Sequence, residues 1–396
     1  MTIKKRKRCS KRGQNEGSIY KRKDGRWTSV LNLGFEAGKL KRKQYYGKTR
    51  DDVAKKLTKA INDHQKGLPV AIPRQTVEHF LDCWLTDCVK PSVRPKTFAS
   101  YSQLVKLHIK PQLGRLSLSK LGPEHVQAFL NNRLASGAIR KKETDPVKGL
   151  SPRTVQYLRV VLRRALGQAY KWGLVARNVA TLVDPPRTVK PEIRPMTIEE
   201  TKEFLTACEG NRLEALFTVA LAMGLRQGEA LGLRWEDVDW ESGVLRVRHS
   251  LQRINRKLML NEVKTKSSRR DLPLVDVVAN SLRAHRSRQL AERLVAGKDW
   301  QETGFVFTTM IGTPLDARNV VRTYHKALID AGLELRRFHD LRHGCATLLL
   351  AQGVPIKTVS DILGHSQISI TADIYGHVVP EAHRAALQAL DKVFAS

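Results

Sequence analysis

The chain is poor in cysteine and in acidic residues, and it has no long apolar run. Five cysteines (Cys9, Cys83, Cys88, Cys208 and Cys345) stand among 396 residues, irregularly spaced and with no C-x-x-C pair. That pattern excludes a disulfide framework and a cysteine zinc site, and it fits reduced, packed thiols. The longest apolar stretches, such as Leu216 to Leu225, are too short to span a bilayer. The basic N-terminus is not followed by the apolar core of a signal peptide. No internal repeat occurs, and no low-complexity tract beyond the N-terminal basic run. A cytoplasmic protein is expected.

Acid is what the chain lacks most. Against 38 Asp and Glu it carries 70 Lys and Arg, a formal net charge of +32. A field of that size calls for a polyanionic partner, and nucleic acid is the commonest. An anionic membrane surface would need a basic amphipathic helix, and none is evident. At 41% hydrophobic the chain can still bury cores, and its length allows two or three domains.

Composition divides the chain. Residues 1–14 form a basic tail, expected to be disordered in isolation. Residues 15–66 read as three short strands, with a turn at Asp24-Gly25 and another near Gly38, followed by a helix over 50–65 with Val53, Leu57 and Ile61 on one face. Residues 67–75 read as a linker. Residues 76–183 read as all-helical, with helices near 76–88, 96–109, 122–136 and 151–173. The last has Ser151 as N-cap, Pro152 at its first position, and Val155, Leu158, Val161, Leu162 and Ala165 on one stripe. Residues 184–196 hold four prolines and form a second linker. Residues 197–396 open on the capping box Thr197-Ile198-Glu199-Glu200. There the pattern turns to β from Gly243 to Leu274, with Lys264 at a hairpin between the last strands. It returns to helix with a short strand at Phe305-Val306-Phe307, and a final helix is expected over 380–395.

The last segment holds an ordered set of motifs. Arg226 lies in Gly224-Leu225-Arg226-Gln227-Gly228-Glu229, and Lys264 in Val263-Lys264-Thr265-Lys266. His339 and Arg342 lie in His339-Asp340-Leu341-Arg342-His343, His365 in Leu363-Gly364-His365-Ser366, and Tyr375 in Tyr375-Gly376-His377. Two guanidiniums, an ammonium, two imidazoles and a phenol suit one task, holding a phosphodiester while a tyrosine attacks it. Attack adds charge to the non-bridging oxygens, and arginine's planar fork binds two such oxygens while staying protonated. A phenol, with a pKa of about 10, needs nearby cations and a proton acceptor. Glu229 and Asp340 are candidate carboxylates for orienting the cations, or else helix caps or surface acids. His339-Asp340-x-x-His343 echoes a zinc-protease motif, but the acid is Asp, Arg342 sits inside it, and clustered cations would repel a dication. No metal or other cofactor is expected.

In that order the motifs resemble those of the tyrosine recombinases, the lambda-type phage integrase family, across the whole C-terminal half. The resemblance implies a multidomain fold. Its parts would be an arm-binding domain of three strands and a helix, an all-α core-binding domain, and a mixed, mainly helical catalytic domain. It implies Tyr375 as nucleophile, a 3′-phosphotyrosyl intermediate, and Arg226, Arg342, His339 and His365 on the scissile phosphate. Lys264 would protonate the leaving 5′-oxygen; Lys266, two residues on, is the alternative, and the Lys-Thr pair favours Lys264. Implied partners are double-stranded attachment-site DNA and three further protomers in a tetramer, acting through a Holliday junction in a bacterial host's nucleoid. A host DNA-bending protein and an excisionase are further partners it allows. Candidate DNA contacts are Lys21, Arg22, Arg26, Lys41 and Arg42 in the first domain, Arg159 and Arg163 in the second, and Lys266. A type IB-like topoisomerase and a non-catalytic DNA-binding regulator on the same fold share much of this pattern.

Backbone contacts release counterions, so affinity for duplex DNA should fall by about 10³-fold or more between 50 and 200 mM salt. Fluorescence anisotropy checks this, and a flat salt dependence would refute an electrostatic footprint.

Overall fold

A computed structural model describes residues 17–36, 39–65, 75–138, 148–189, 194–263 and 266–375 of the chain. The basic tail, most of the first linker, the turn near Gly38, Lys264 and the 380–395 segment lie outside the described residues. The protein is mixed and mostly helical, with a small three-stranded sheet near its N-terminus. It divides into two compact units between Val189 and Lys190. Among the described residues no helix is long and apolar enough to cross a membrane.

The first unit begins with antiparallel strands β1 (Ser18–Lys21), β2 (Trp27–Glu36) and β3 (Lys39–Gly47), in that order across the sheet. Gly25 sits at φ +81° in the β1–β2 turn, a conformation that L side chains rarely adopt. Strand alternation sorts the faces. The Ile19–Ser29–Tyr45 row turns to the Arg50–Gln65 helix, where Leu31, Leu57 and Ala60 form a small core with Ile61 beside it. The opposite face carries the Tyr20–Thr28–Tyr46 row, with both tyrosines 45% exposed.

The remaining helices of this unit share a larger core. Val77–Cys83 continues into a π turn, Trp84–Val89, and Pro95–Leu104 continues into a second, Val105–Ile109. Both π turns end immediately before a Lys-Pro pair, Lys90-Pro91 and Lys110-Pro111. Proline lacks an N–H and its ring would strike the carbonyl four residues back in an α-helix; the wider turn relieves that collision. Pro123–Ser136 follows, then Pro152–Lys171, whose expected stripe of Val155, Leu158, Val161, Leu162 and Ala165 is fully buried. Ser151 caps the latter helix by accepting from the Thr154 N–H at 3.3 Å.

The second unit opens on Ile198–Ala207, where the Thr197 hydroxyl accepts from the Glu200 N–H at 3.1 Å and Glu200 accepts from the Thr197 N–H at 2.9 Å. Its core lies mainly among Glu214–Ala222, Asp276–Ala296, Ala317–Asp330 and the sheet of β4 (Val238–Asp239), β5 (Val244–Val247) and β8 (Arg270–Pro273), ordered β4-β5-β8. Strands β6 (His249–Ile254) and β7 (Lys257–Glu262) form a separate hairpin.

Two expectations need correction. The hairpin turn is at Asn255-Arg256, both at positive φ, not at Lys264, which follows β7 on the way to β8. Residues 305–307 form no strand beyond one bridge from Phe305 to Arg234. Side chains of the Asp276–Ala296 helix take their carbonyls instead: His285 Nε2 bonds Val306 O at 2.8 Å, and the Gln289 amide donates to Phe305 O and Val306 O.

Leu158→Ala empties a fully buried site and should cost about 2–5 kcal/mol of unfolding free energy, whereas half-exposed Val160→Ala should stay within about 0.5 kcal/mol. Denaturant unfolding of the full chain measures both; equal costs would contradict the packing.

Candidate active site

Three separated stretches of the second unit supply the site. Met223 ends one helix, Gly224 turns the chain at φ +58°, and Arg226 becomes the N-cap of Gln227–Leu231. His339 is the N-cap of Asp340–Ala351, and Arg342 lies in that helix's first turn. Ile356–Leu363 ends at Gly364 in the left-handed conformation, φ +66°, with His365 next. Neither glycine has room for a side chain. A Cβ on Gly364 would lie 2.7 Å from Ser267 O, and one on Gly224 would lie 2.6 Å from a Leu363 methyl.

The two arginines are fixed by backbone carbonyls from each other's neighbourhood. Arg342 is 2% exposed and donates from Nη1 to Gly224 O at 2.8 Å. Arg226 donates from Nη2 to Gly364 O at 3.1 Å, across 138 residues of sequence. Its Nη1 donates to Glu229 Oε1 at 2.6 Å, and its N–H to Glu229 Oε2 at 3.2 Å. Glu229 is therefore a cap and a counter-charge together. Burial pushes its carboxyl up, but the charges of Arg270 and Arg226 outweigh burial and hold it below the usual carboxylate range.

The imidazoles sit in the field of both arginines. His339 is pushed down to about 4, first by burial and then by the charges of His343, Arg342 and Arg226. His365 is also pushed down to about 4, by burial and then by Arg342, Arg226 and the other two histidines. The His339 ring stands edge-on to His343, centroids 5.0 Å apart. His365 Nδ1 shares a 2.8 Å hydrogen bond with the hydroxyl of fully buried Thr371, and its N–H donates to Ser360 O at 3.0 Å. At neutral pH both rings are uncharged and able to accept a proton.

Arg226, Arg342, His339, His365 and Glu229 are thus brought together. Asp340 is buried and accepts from Arg337, through the Arg337 N–H at 2.8 Å, Nε at 3.3 Å and Nη2 at 2.8 Å, and its charge acts on His339 and His343. Tyr375 closes the Ile368–Tyr375 helix, one turn beyond Thr371; its side chain, like all of Lys264, lies outside the described residues. So do the side chains of Lys41 and Lys266.

Sequence reasoning missed Arg270. It stands among basic residues in the sequence, Arg269 directly before it, yet it is buried against Glu229. The signal was present: alternation along β8 puts Arg270 on the same face as buried Leu272. Thr371, which ties His365 to the last described helix, carries no motif of its own in the sequence.

The other candidate contacts lie in the first unit, on surfaces of their own. Lys21, Arg22, Arg26 and Arg42 are exposed on the N-terminal module, with Arg22 over the Tyr46 ring at 5.6 Å and Asp24 beside Arg22 and Arg26 at 3.7 and 3.9 Å. Arg163 is exposed, and with Arg164, Gln168 and Lys171 it lines a groove of about 780 Å³; Arg159 is half-buried.

Comparison with known proteins agrees with this chemistry. Residues 194–382 match the phage integrase family, and residues 76–134 match the N-terminal SAM-like domain of phage integrases. A XerC-like tyrosine recombinase of Caldanaerobacter subterraneus is 36% identical over 374 residues, covering 91% of this chain and 94% of that protein. The chain belongs to the phage integrase family of tyrosine recombinases. It is a site-specific DNA recombinase, an enzyme that transfers DNA strands. An integrase of Streptomyces ambofaciens is 30% identical to this recombinase over 402 residues, 98% of each chain. Solved structures share the fold. The Tn1549 transposon integrase with a circular intermediate DNA has a TM-score of 0.62 at 23% identity, over 80% of this chain and 99% of that one. A lambda integrase tetramer on a Holliday junction has a TM-score of 0.55 at 18% identity, over 92% and 96%.

The depressed imidazoles set a pH dependence. His339 and His365 titrate near 4 in the folded recombinase but near 6.5 when unfolded. Between those values the unfolded chain binds more protons, so their contribution raises stability as pH climbs from about 4 to 6.5. Denaturant midpoints across that window should rise, and His365→Asn should shallow the rise. An NMR titration that finds either ring half-protonated near 6.5 would refute the environment described.

Proposed function

We propose that this recombinase integrates or excises a mobile element by cutting and rejoining attachment-site DNA through Tyr375. Its hydroxyl oxygen attacks the scissile phosphorus, a 3′-phosphotyrosyl bond forms, and the bond to the 5′-oxygen breaks. The tyrosine proton passes to His339 or His365, and Lys264 gives a proton to the departing 5′-oxygen. A 5′-hydroxyl from the partner strand reverses the step. The bond energy is kept in the ester, so neither ATP nor a metal is required.

The observation that supports this reading is the convergence of two guanidiniums and two neutral imidazoles from segments far apart in sequence. Cations fixed before the substrate arrives stabilise the charge that develops on the phosphate. Arg226 and Arg342 form the clamp, with Glu229 orienting Arg226. Tyr375 stands one helical turn beyond Thr371, the residue bonded to His365, which favours it as nucleophile. Lys264 remains preferred over Lys266.

The other surfaces fit the same task. The open sheet face with Tyr20, Tyr46 and Arg22, joined by Lys21, Arg26, Lys41 and Arg42, would read arm-type DNA as a module of residues 15–66. The helical domain of residues 76–183 would hold core-type DNA through Arg159 and Arg163. Residues 197–396 would form the catalytic domain, with Lys266 near the cleaved strand, Asp340 supporting the histidine pair, and linkers at 67–75 and 184–196. Exchange between two duplexes needs four protomers and passes through a Holliday junction. A host DNA-bending protein and an excisionase would set direction. All of this takes place on DNA in the bacterial cytoplasm.

A nicked duplex carrying the junction mapped at the edge of the element's integrated DNA tests the reading, since the nick traps the covalent complex. Tyr375→Phe should abolish the adduct and keep DNA affinity. Arg226→Ala or Arg342→Ala should slow adduct formation about 10²–10³-fold, with a far smaller loss of affinity. An adduct surviving in Tyr375→Phe would exclude that nucleophile; equal losses of rate and affinity would make the arginines mere binding residues.

A further inference from the structure

We propose that Arg270 is a positioning residue for strand cleavage, a buried guanidinium that locks Arg226 and the His365 turn into one frame. The proposal rests on Arg226 being a phosphate ligand. Arg270 touches no substrate in this account; it acts through its neighbours.

Every nitrogen of its guanidinium is engaged. Nε donates to Ile362 O at 2.7 Å, Nη1 to Ser268 O at 3.1 Å, and Nη2 to Glu229 Oε2 at 3.1 Å. Its side chain is 7% exposed and Glu229's is 3% exposed. Glu229 is shared: Oε1 takes Arg226 Nη1, and Oε2 takes Arg270. Arg226 in turn donates to Gly364 O, two residues past Ile362. The bonds close a ring that runs from Arg226 through Glu229 and Arg270 to the 362–364 turn and back. His365 follows that turn directly. The ring has no slack at Gly364, where a Cβ would sit 3.1 Å from Arg270 Nη1.

Energetics single out this residue. Burying a guanidinium costs several kcal/mol, and a well-packed apolar side chain often serves a fold as well or better. Stability alone therefore does not call for arginine at 270. What arginine supplies is a competitor for Glu229. With Oε2 held by Arg270, Glu229 engages a single terminal nitrogen of Arg226 through its other oxygen. Glu229 and Gly364 use one N–H on each terminal nitrogen of Arg226, so its fork keeps donors for a phosphate. Without Arg270, Glu229 Oε2 keeps only the Arg226 backbone N–H and can take a second guanidinium nitrogen, and a bidentate pair would draw the fork away from the phosphate.

The test uses Arg270→Met and Arg270→Lys in the full chain, on the nicked junction duplex. Adduct formation should slow about 10- to 100-fold, the range for outer ligands that orient a reactive group, while DNA affinity stays near wild type. Two readouts separate positioning from mere stability. On a duplex with a neutral methylphosphonate at the scissile position the deficit should shrink, because Arg226 then meets no phosphate charge. Arg270→Met combined with Arg226→Ala should be no slower than Arg226→Ala alone. Wild-type rates in both Arg270 variants would overturn the proposal. So would equal slowing on both substrates with additive losses, and so would failure of both variants to fold, since each would leave Arg270 only a structural part. Arg270→Lys keeps the charge but puts its three donors on one nitrogen, which does not span the acceptors that Nε, Nη1 and Nη2 reach, and it carries the comparison if Arg270→Met unfolds. Tyr375→Phe is the control. If wild type forms no tyrosine-dependent adduct, the functional reading fails; if it does and the Arg270 variants match it, only the positioning role falls.

Discussion

Like charges gather in a small volume only if a counter-charge is buried with them, and in this recombinase that charge is Glu229. It is 4% exposed and lies between Arg226 and Arg270. Burial alone would protonate it, and the two guanidiniums keep it ionised. One carboxylate does not balance two arginines, and Arg342 adds a third cation whose described acceptor is the Gly224 carbonyl. The centre keeps an excess of positive charge at low exposure, where water screens it weakly. Under the proposed roles, a phosphodiester of the scissile strand is the charge of opposite sign for this centre. The whole chain, at +32, repeats that imbalance at larger scale.

Burial, and after it the same cationic field, explains the histidines. Buried imidazoles beside guanidiniums resist a further positive charge, and both lie near 4. A bound phosphate would reverse part of that field and raise their proton affinity. Under the proposed roles, an acceptor for the tyrosine proton becomes effective when the substrate is in place. Binding and deprotonation are then linked through a single electrostatic balance, with no conformational signal required.

Much of this was legible in the sequence, for a definable reason. Arg226, His339, Arg342 and His365 lie in short motifs whose glycines and spacings mark helix ends, and helix ends are local. The stripe on Pro152–Lys171 and the box at Thr197 are local as well. What escaped depends on distant partners. Arg270 reads as solvated in a basic run because charges are usually solvated; only Glu229, 41 residues away, makes its burial tolerable. Residues 305–307 look like a strand, but the Phe305 and Val306 carbonyls are taken by His285 and Gln289 rather than by a neighbouring strand. Asp340 could have been assigned locally, since its partner Arg337 is three residues back. The turn at Asn255-Arg256 lacks the glycine that usually announces such a hairpin.

The arrangement also separates holding from bond-making. Arg226, Glu229, Arg270, Arg342 and the Gly364 turn form a frame whose ties are short, buried or part-buried, and internal to the second unit. The residues proposed to make and break bonds stand next to it in sequence. Tyr375 ends the helix whose Thr371 is bonded to His365, and Lys264 stands just before the 266–270 stretch that Arg270 pins through Ser268 and Ile362. Electrostatic stabilisation gains most when its dipoles and charges need no reorganisation at the moment of reaction. Proton transfer and attack, in contrast, need groups that meet the substrate in sequence. A rigid cationic frame, with the proposed reactive residues close to it in sequence, suits both demands. It also requires the helix ends at Gly224 and Gly364 to be glycine, since each brings a carbonyl against an arginine where no Cβ fits.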